Sequence, residues 1–427
     1  MLNRAAPTML ELKRRLVAGG YLHVLSASVM LQLLGFGSVM LVARLVSAPD
    51  LADIRTAQAY AAVAVILAGA GLSSPILLYC ADPDLSEAQK RRLIRYAVRT
   101  TVFVGGLIAS ICVALTLVLN GPTDTAAKVQ AIYALALPGL ALTSLLFVYM
   151  QSRQQFAQLA RSQTLIKGVS VAVVVVATWL FGVAGFLVGT VVTVYAGLIP
   201  LLRPLRRNAV DDTAAPALPP DLWARASYGM AGTFVTMLGQ SSDFMLMDFT
   251  NVARDDVGRY ALASAFAAAA VSLTGVIQTV LTPRFTALRG DSAGFRRELA
   301  TWSLRMPLIS IGVALAALAG ASVLSRWFFG AAYSGFTTYL AVLLGRYVIW
   351  SNFAVVGAAL AGMGVVRSGV AIALATTILS FAIGLPLCKE FGAFGAAWAQ
   401  VLVACFSLVA IWLVGRWEMR RAFERPS

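Results

Sequence analysis

Residues Gly168–Leu202 read GVSVAVVVVATWLFGVAGFLVGTVVTVYAGLIPLL, without one charged side chain. A helix that crosses about 30 Å of hydrocarbon needs about 20 mostly apolar residues, so this run is too long for one crossing. Phe181-Gly182-Val183-Ala184-Gly185 lies near its centre. Glycine is a poor helix former and punctuates apolar runs. The stretch is therefore expected to be two crossings that meet at Gly182–Gly185.

The rest of the chain has the same character. Its 427 residues are 59% hydrophobic and only 12% charged, where ordinary globular domains carry roughly 25% charge. A soluble protein of this size could not cover its surface with so few charges. Charge-free stretches run from Leu16–Ala43 to Phe391–Gly415, and counting them gives twelve helices. Two stretches, Trp327–Gly345 and Tyr347–Val366, meet at a lone Arg346. Loop signals at Phe329, Gly330, Tyr333, Ser334 and Gly335 precede that arginine, so one helix from about Phe336 to Leu360 is expected. The first stretch is longer than a signal-peptide core and flows into a second span, so it is expected to remain in the membrane. The expected fold class is all-α: a polytopic membrane protein.

Basic residues set the expected orientation. The chain has 34 Lys and Arg against 19 Asp and Glu, for a formal net charge of +15. With both termini inside, most of the basic residues are cytoplasmic, among them Lys90, Arg91, Arg92, Arg95, Arg296, Arg297, Arg420 and Arg421. Arg44, Arg55, Lys128, Arg254, Arg259, Arg326 and Lys389 fall outside, and Arg346 within the membrane. Topology and lipid headgroups account for the excess charge, so no nucleic-acid partner is expected.

Several chemistries are excluded. Cys80, Cys112, Cys388 and Cys405 match no metal-ligand or redox spacing. His23 is the only histidine, which argues against histidine-based metal or nucleophile chemistry. No glycine-rich phosphate loop ending in Gly-Lys occurs. Neither an enzyme nor a built-in ATP motor is expected, and no cofactor.

One long hydrophilic break, Arg203–Arg225, carries Pro204, Asp211, Asp212, Pro216, Pro219, Pro220 and Asp221. Six of the expected helices lie on each side of it. The expected organisation is an N-terminal bundle over residues 1–205, a cytoplasmic linker over 206–225 and a C-terminal bundle over 226–427. Local matches support two copies of one plan. Arg55-x-Ala57-x-Ala59 with Gly71 matches Arg259-x-Ala261-x-Ala263 with Gly275, and Phe181-Gly182-x-x-Gly185 matches Phe391-Gly392-x-x-Gly395. Because six is even, both copies start on the same face, and the repeat is parallel.

Several segments carry a family resemblance. Ala43-Arg44-Leu45-Val46, then Pro49-Asp50 and Gly69–Ser74, resemble the start of the polysaccharide transporter family, the Wzx-type oligosaccharide flippases. That family belongs to the multidrug/oligosaccharidyl-lipid/polysaccharide flippase superfamily. Asp243-Phe-Met-Leu-Met-Asp248 followed by Val257–Ala263 is similar to the second-half counterpart. Phe329-Gly330-x-x-Tyr333 and Gly392–Ala399 are similar to its late loops. Arg259 departs from the Leu or Ile usual before that tyrosine. The major facilitator pattern is a poorer match, because the loop Asp82–Arg92 has no glycine.

The resemblance implies a flippase that carries an undecaprenyl-diphosphate-linked oligosaccharide across the bacterial inner membrane by alternating access. The destination would be O-antigen, capsule or exopolysaccharide. It also implies a monomer, and leaves open whether a glycan polymerase or glycosyltransferases are bound. An ion-coupled small-molecule or multidrug antiporter of the same fold is the alternative, and a non-transporting scaffold a third reading. A diphosphate headgroup needs cationic, polar company in the membrane, because unpaired charge in hydrocarbon is costly.

The residues able to provide that company are few. Arg346, about 15 Å into its helix, is either a headgroup ligand through its bidentate fork or the partner of an acid in the same bundle. Arg44 either lines the cavity mouth or reaches to the interface. Gln240 and Asn352 could hydrogen-bond sugars or join helices. Asp243, and less directly Asp248, could hold a coupling proton or Na+, or neutralise a neighbouring basic group.

Overall fold

In the computed structural model the described residues are 21–121, 123–207, 218–365 and 367–424. Among them there is no strand. Lys13, Arg14 and Arg15, which are among the basic residues expected on the cytoplasmic side, and most of the expected linker lie outside the described residues. In chain order the helices are α1 (Tyr21–Leu45), α2 (Ala48–Ala68), α3 (Ser73–Ala81), α4 (Glu87–Asn120), α5 (Thr125–Ala134) and α6 (Leu137–Ser152). Then come α7 (Phe156–Arg207), α8 (Leu222–Phe249), α9 (Arg254–Ala287), α10 (Ser292–Leu324), α11 (Phe336–Met363) and α12 (Arg367–Glu424). Two short turns, Ser325–Phe329 and Ala331–Tyr333, separate α10 from α11.

In a membrane every backbone polar group must be satisfied within the protein, which leaves helices as the solution for this composition. Eight helical runs among the described residues are long and apolar enough to cross a membrane. Polar caps start the helices where the apolar runs end. Ser47 and Asp50 form a reciprocal capping box at α2, Ser86 and Gln89 one at α4, and Asp124 and Asp291 cap α5 and α10. Arg346 lies within one uninterrupted helix that starts at Phe336, as expected from the glycine before it.

The two longest helices double back. At Gly182 (φ 59°, ψ −139°) and Gly392 (φ 57°, ψ −136°) the backbone leaves the helical region. Past each turn the arms pack closely: a Cβ on Gly185 would lie 1.9 Å from the Ala177 carbonyl oxygen, and one on Gly395 would lie 1.9 Å from that of Leu387. The two Phe-Gly-x-x-Gly segments thus build one and the same turn. The other matched pair diverges. Gly71 (φ 66°) sits in the break between α2 and α3, whereas Gly275 is inside continuous α9.

The end of the molecule that bears Arg44 and Arg254 is called outer and the end that bears Arg91 and Arg153 inner, after the charge bias of the sequence. The chain's first and second halves meet along α2 and α3, which pack on α8 and α9, and along α1 against α9. Small residues allow the approach. At the outer end Gly258 faces the Ala48 carbonyl, where a Cβ would come to 2.0 Å; towards the inner end Gly71 faces the Ala226 carbonyl, at 2.2 Å.

Candidate functional site

Five crossings of the first half surround a cavity of about 600 Å³. Arg55 and Gln58 reach it from α2, Tyr133 from α5, Gln163 and Lys167 from the first arm of α7, and Thr190 from the second. Among the described residues no carboxylate lines it. Arg55 Nη1 donates to Gln58 Oε1 at 2.9 Å, and Lys167 is within electrostatic reach of Arg55. Neither cation has an ion pair among the described residues. Among the described residues nothing compensates the positive charge of the cavity, an arrangement suited to an anion with polar substituents.

Local structure explains why both cations sit so deep. The capping box starts α2 at Ala48, so Arg55 lies about 10 Å along the helix rather than at its mouth. Lys167 follows Phe156, the start of α7, by about 16 Å. Charge-free stretches place both residues at span edges; the helix caps place them inside. The Ser47-x-x-Asp50 signature was the available signal for Arg55.

The expected site residues fall into two other groups. Arg44 is exposed at the outer end of α1, where it donates to the Phe328 carbonyl, with its guanidinium 4.8 Å from the Phe328 ring centroid. Asp248 is half-buried and paired with Arg254 at 2.8 Å, and it accepts a hydrogen bond from Tyr60 at 2.9 Å. Arg254 also faces Asp53 of α2 at 3.4 Å. The Tyr333 hydroxyl donates to the Val46 and Ser47 carbonyls at 3.3 Å each. These contacts close the outer seam between the halves.

The second group lies within the second half. Asp243 is buried on α8 and accepts from the Tyr260 hydroxyl at 2.7 Å and from the Phe244 amide at 2.9 Å. Arg346 on α11 is near enough to act on it electrostatically, without a direct ion pair among the described residues. Gln240 is exposed on α8, and Asn352 is half-buried on α11 with its Oδ1 unpartnered. Arg259, the departure from the family pattern, pairs with Asp256 at 3.2 Å.

Among the described residues a polar clasp lies at the inner seam. The Tyr79 hydroxyl at the end of α3 donates to Asp221, which also pairs with Arg225 at 2.5 Å. The tyrosine hydrogen bond, and then the guanidinium, hold the Asp221 carboxyl below its usual pKa.

The fold has solved counterparts. An inward-facing multidrug-resistance MATE family transporter of the MOP superfamily superposes with a TM-score of 0.71 at 14% identity, covering 95% of this chain and 99% of that one. The lipid II flippase MurJ in an inward closed conformation gives 0.70 at 14% identity, over 91% and 86% of the two chains. A MOP superfamily transporter from Pyrococcus furiosus, described by a reverse polarity of its binding pocket, gives 0.61 at 13%, over 94% and 96%. No curated protein matches the sequence significantly. These likenesses show the fold; the sequence shows the family, for over residues 18–289 it matches the model of the polysaccharide biosynthesis protein family, and the chain is a member of that family.

Proposed function

We propose that the protein moves an undecaprenyl-diphosphate-linked oligosaccharide from the cytoplasmic to the periplasmic leaflet of the bacterial inner membrane, for O-antigen, capsule or exopolysaccharide synthesis. The single observation that carries this reading is the cavity lined by Arg55 and Lys167, each two or more turns inside its helix, with no carboxylate among its described lining residues. A charge at the centre of a membrane helix costs about 3 kcal/mol even by insertion scales. Two unpaired cations in one cavity are explained by a ligand that brings its own negative charge. A diphosphate does so, and Gln58, Gln163, Tyr133 and Thr190 offer hydrogen bonds to sugar hydroxyls.

In this reading the chain makes twelve crossings with both termini cytoplasmic, in bundles of residues 1–205 and 226–427 joined by 206–225, and acts as a monomer. The bundles rock about the α2–α8 and α2–α9 seams. Arg44, Arg254, Asp53 and Asp248 then hold the outer side shut while the cavity loads from the inner side. Asp243, buried against Tyr260 and near Arg346, is the candidate carrier of a coupling proton or Na+. The antiporter alternative wants a carboxylate in the cavity to meet a cationic drug, and none lines it among the described residues.

The test uses a strain that lacks the gene. Complete lipid-linked repeat units should accumulate, shielded from a membrane-impermeant sugar-modifying reagent. Wild type should restore exposure, and Arg55→Gln should not. Rescue by Arg55→Gln would remove the cavity from the mechanism. Normal glycan exposure in the deleted strain would overturn the function.

A further inference from the structure

α4 faces the membrane: only 11% of its most apolar stretch is buried inside the protein. Along its outer part runs a groove of about 510 Å³. The first half walls it with α2, α4, α5 and the start of α6, and the second half with the end of α8 and the turn after it. Leu115 and Leu119, one turn apart on α4, line the groove while 54% and 76% exposed, so its flank is open to lipid. Ala57, Ala61 and Ala64 recur on one face of α2 and keep the floor low.

The groove is amphiphilic along its length. From Cys112 to Leu119 it runs about 10 Å along α4. Its deeper part is apolar, with Ala64, Cys112 and Leu137, and Thr116 there turns its hydroxyl to the Cys112 carbonyl at 2.8 Å. Polar groups gather towards the outer end. Asp248 and Asn251 stand where α8 ends, the Tyr60 hydroxyl donates to Asp248 at 2.9 Å, and Gln130 lies one turn outward of Ala134 on α5. Asp248 is the one charged residue among the described lining, and Arg254 holds it at 2.8 Å. That gradient matches an uncharged or zwitterionic amphiphile with its head at the outer surface and its chains towards the membrane centre. Size excludes a bulkier occupant: a transmembrane helix of a partner, about 10 Å across, would take up about 800 Å³ over the same length. Hydrocarbon chains are thin enough to enter.

We propose that this groove binds one phospholipid of the outer leaflet, with its acyl chains against Ala61 and Ala64 and its head beside Asn251. The inference goes beyond the proposed function and takes from it only the orientation. The lipid touches both halves of the chain, next to the seam that Asp248 and Arg254 close.

The test uses the full-length protein with Cys80, Cys388 and Cys405 replaced by serine, delipidated in detergent and titrated with dioleoyl phosphatidylethanolamine. Native mass spectrometry counts the bound lipid, and a soluble maleimide reports the accessibility of Cys112. One lipid should bind ahead of the rest, and Cys112 labelling should slow over the same concentration range. Leu115→Trp fills the groove from its open flank and should weaken this first binding by about tenfold, the worth of about two buried methylene groups. Val102→Trp places the same bulk on an exposed site of α4 outside the groove and should leave the binding unchanged. Equal loss in both tryptophan variants would mark unspecific lipid and overturn the proposal. So would binding that Leu115→Trp leaves intact, or Cys112 labelling that the lipid does not slow. Undecaprenyl phosphate is titrated in parallel; if it protects Cys112 and the phospholipid does not, the groove takes a prenyl chain and the proposal fails. None of these readouts involves export, so the flippase reading and the lipid site stand or fall separately.

Discussion

Arg254 on α9 faces Asp53 on α2 across the seam at 3.4 Å while another of its nitrogens holds Asp248 at 2.8 Å. One guanidinium therefore ties the second half of the chain to the first at the outer end. Tyr60 hands a further hydrogen bond to Asp248 from the α2 side. If the outer end must open in a transport cycle, this is the contact that must break.

The first prediction concerns that tie. Asp53→Asn weakens it without removing bulk, and a partly exposed ion pair contributes about 1 kcal/mol. Outward-open molecules should then become about fivefold more abundant. Cys112 shares a groove with Tyr60 and Asp248 at this seam. With Cys80, Cys388 and Cys405 replaced by serine, labelling of Cys112 by an outside, impermeant thiol reagent should rise in proportion. An unchanged labelling rate would show that the seam does not open there.

Arg55 should trade stability for function. An unpaired cation in a membrane cavity opposes folding, so Arg55→Gln should raise the thermal midpoint in detergent by a few degrees. The same change should abolish glycan export in the complementation assay. Arg55→Lys keeps the charge but loses the fork, so export should be partial. A structural role would give the opposite sign, with Arg55→Gln lowering the midpoint.

The fold was legible where glycine and charge punctuate apolar runs. The hairpin at Gly182, its copy at Gly392 and the undivided helix around Arg346 all follow from residues whose local physics admits one solution. Pro138 likewise marks the break between α5 and α6, where the Tyr195 hydroxyl donates to the freed Leu135 carbonyl at 2.8 Å. The same punctuation hides the cavity. A charge ends an apolar run, so Arg55 and Lys167 read as span edges although caps and helix starts carry them inward. The seam contacts were not legible, because nothing local in Asp53 or Phe328 names a partner in the other half of the chain. The Gly71 and Gly275 match shows the converse: equal letters with unequal geometry, because only Gly71 has the Ala226 carbonyl against it.

The twin turns predict twin costs. Gly182 and Gly392 occupy a region of backbone space that is nearly closed to residues with a Cβ, at a cost of about 1–3 kcal/mol. Gly182→Ala and Gly392→Ala should therefore lower the thermal midpoint by similar amounts. Gly185→Ala and Gly395→Ala push a methyl into a backbone carbonyl and should fail to give a folded, monodisperse protein. A large effect in one half and none in the other would contradict the structural equivalence of the two segments.

The inner clasp predicts a pH dependence. Tyr79 and Arg225 lower the pKa of Asp221 in the folded protein below its ordinary value near 3.8. A carboxyl depressed in the folded state contributes stability above its unfolded pKa, and that contribution is lost as pH falls through the folded value. The difference in thermal midpoint between wild type and Asp221→Asn should therefore be constant from pH 8 to about 5 and shrink below about 4. Because the Asp221 side chain is about half exposed, the difference should also shrink in high salt. A difference that persists at low pH would mean that the asparagine acts through packing at the start of α8, not through the lost charge.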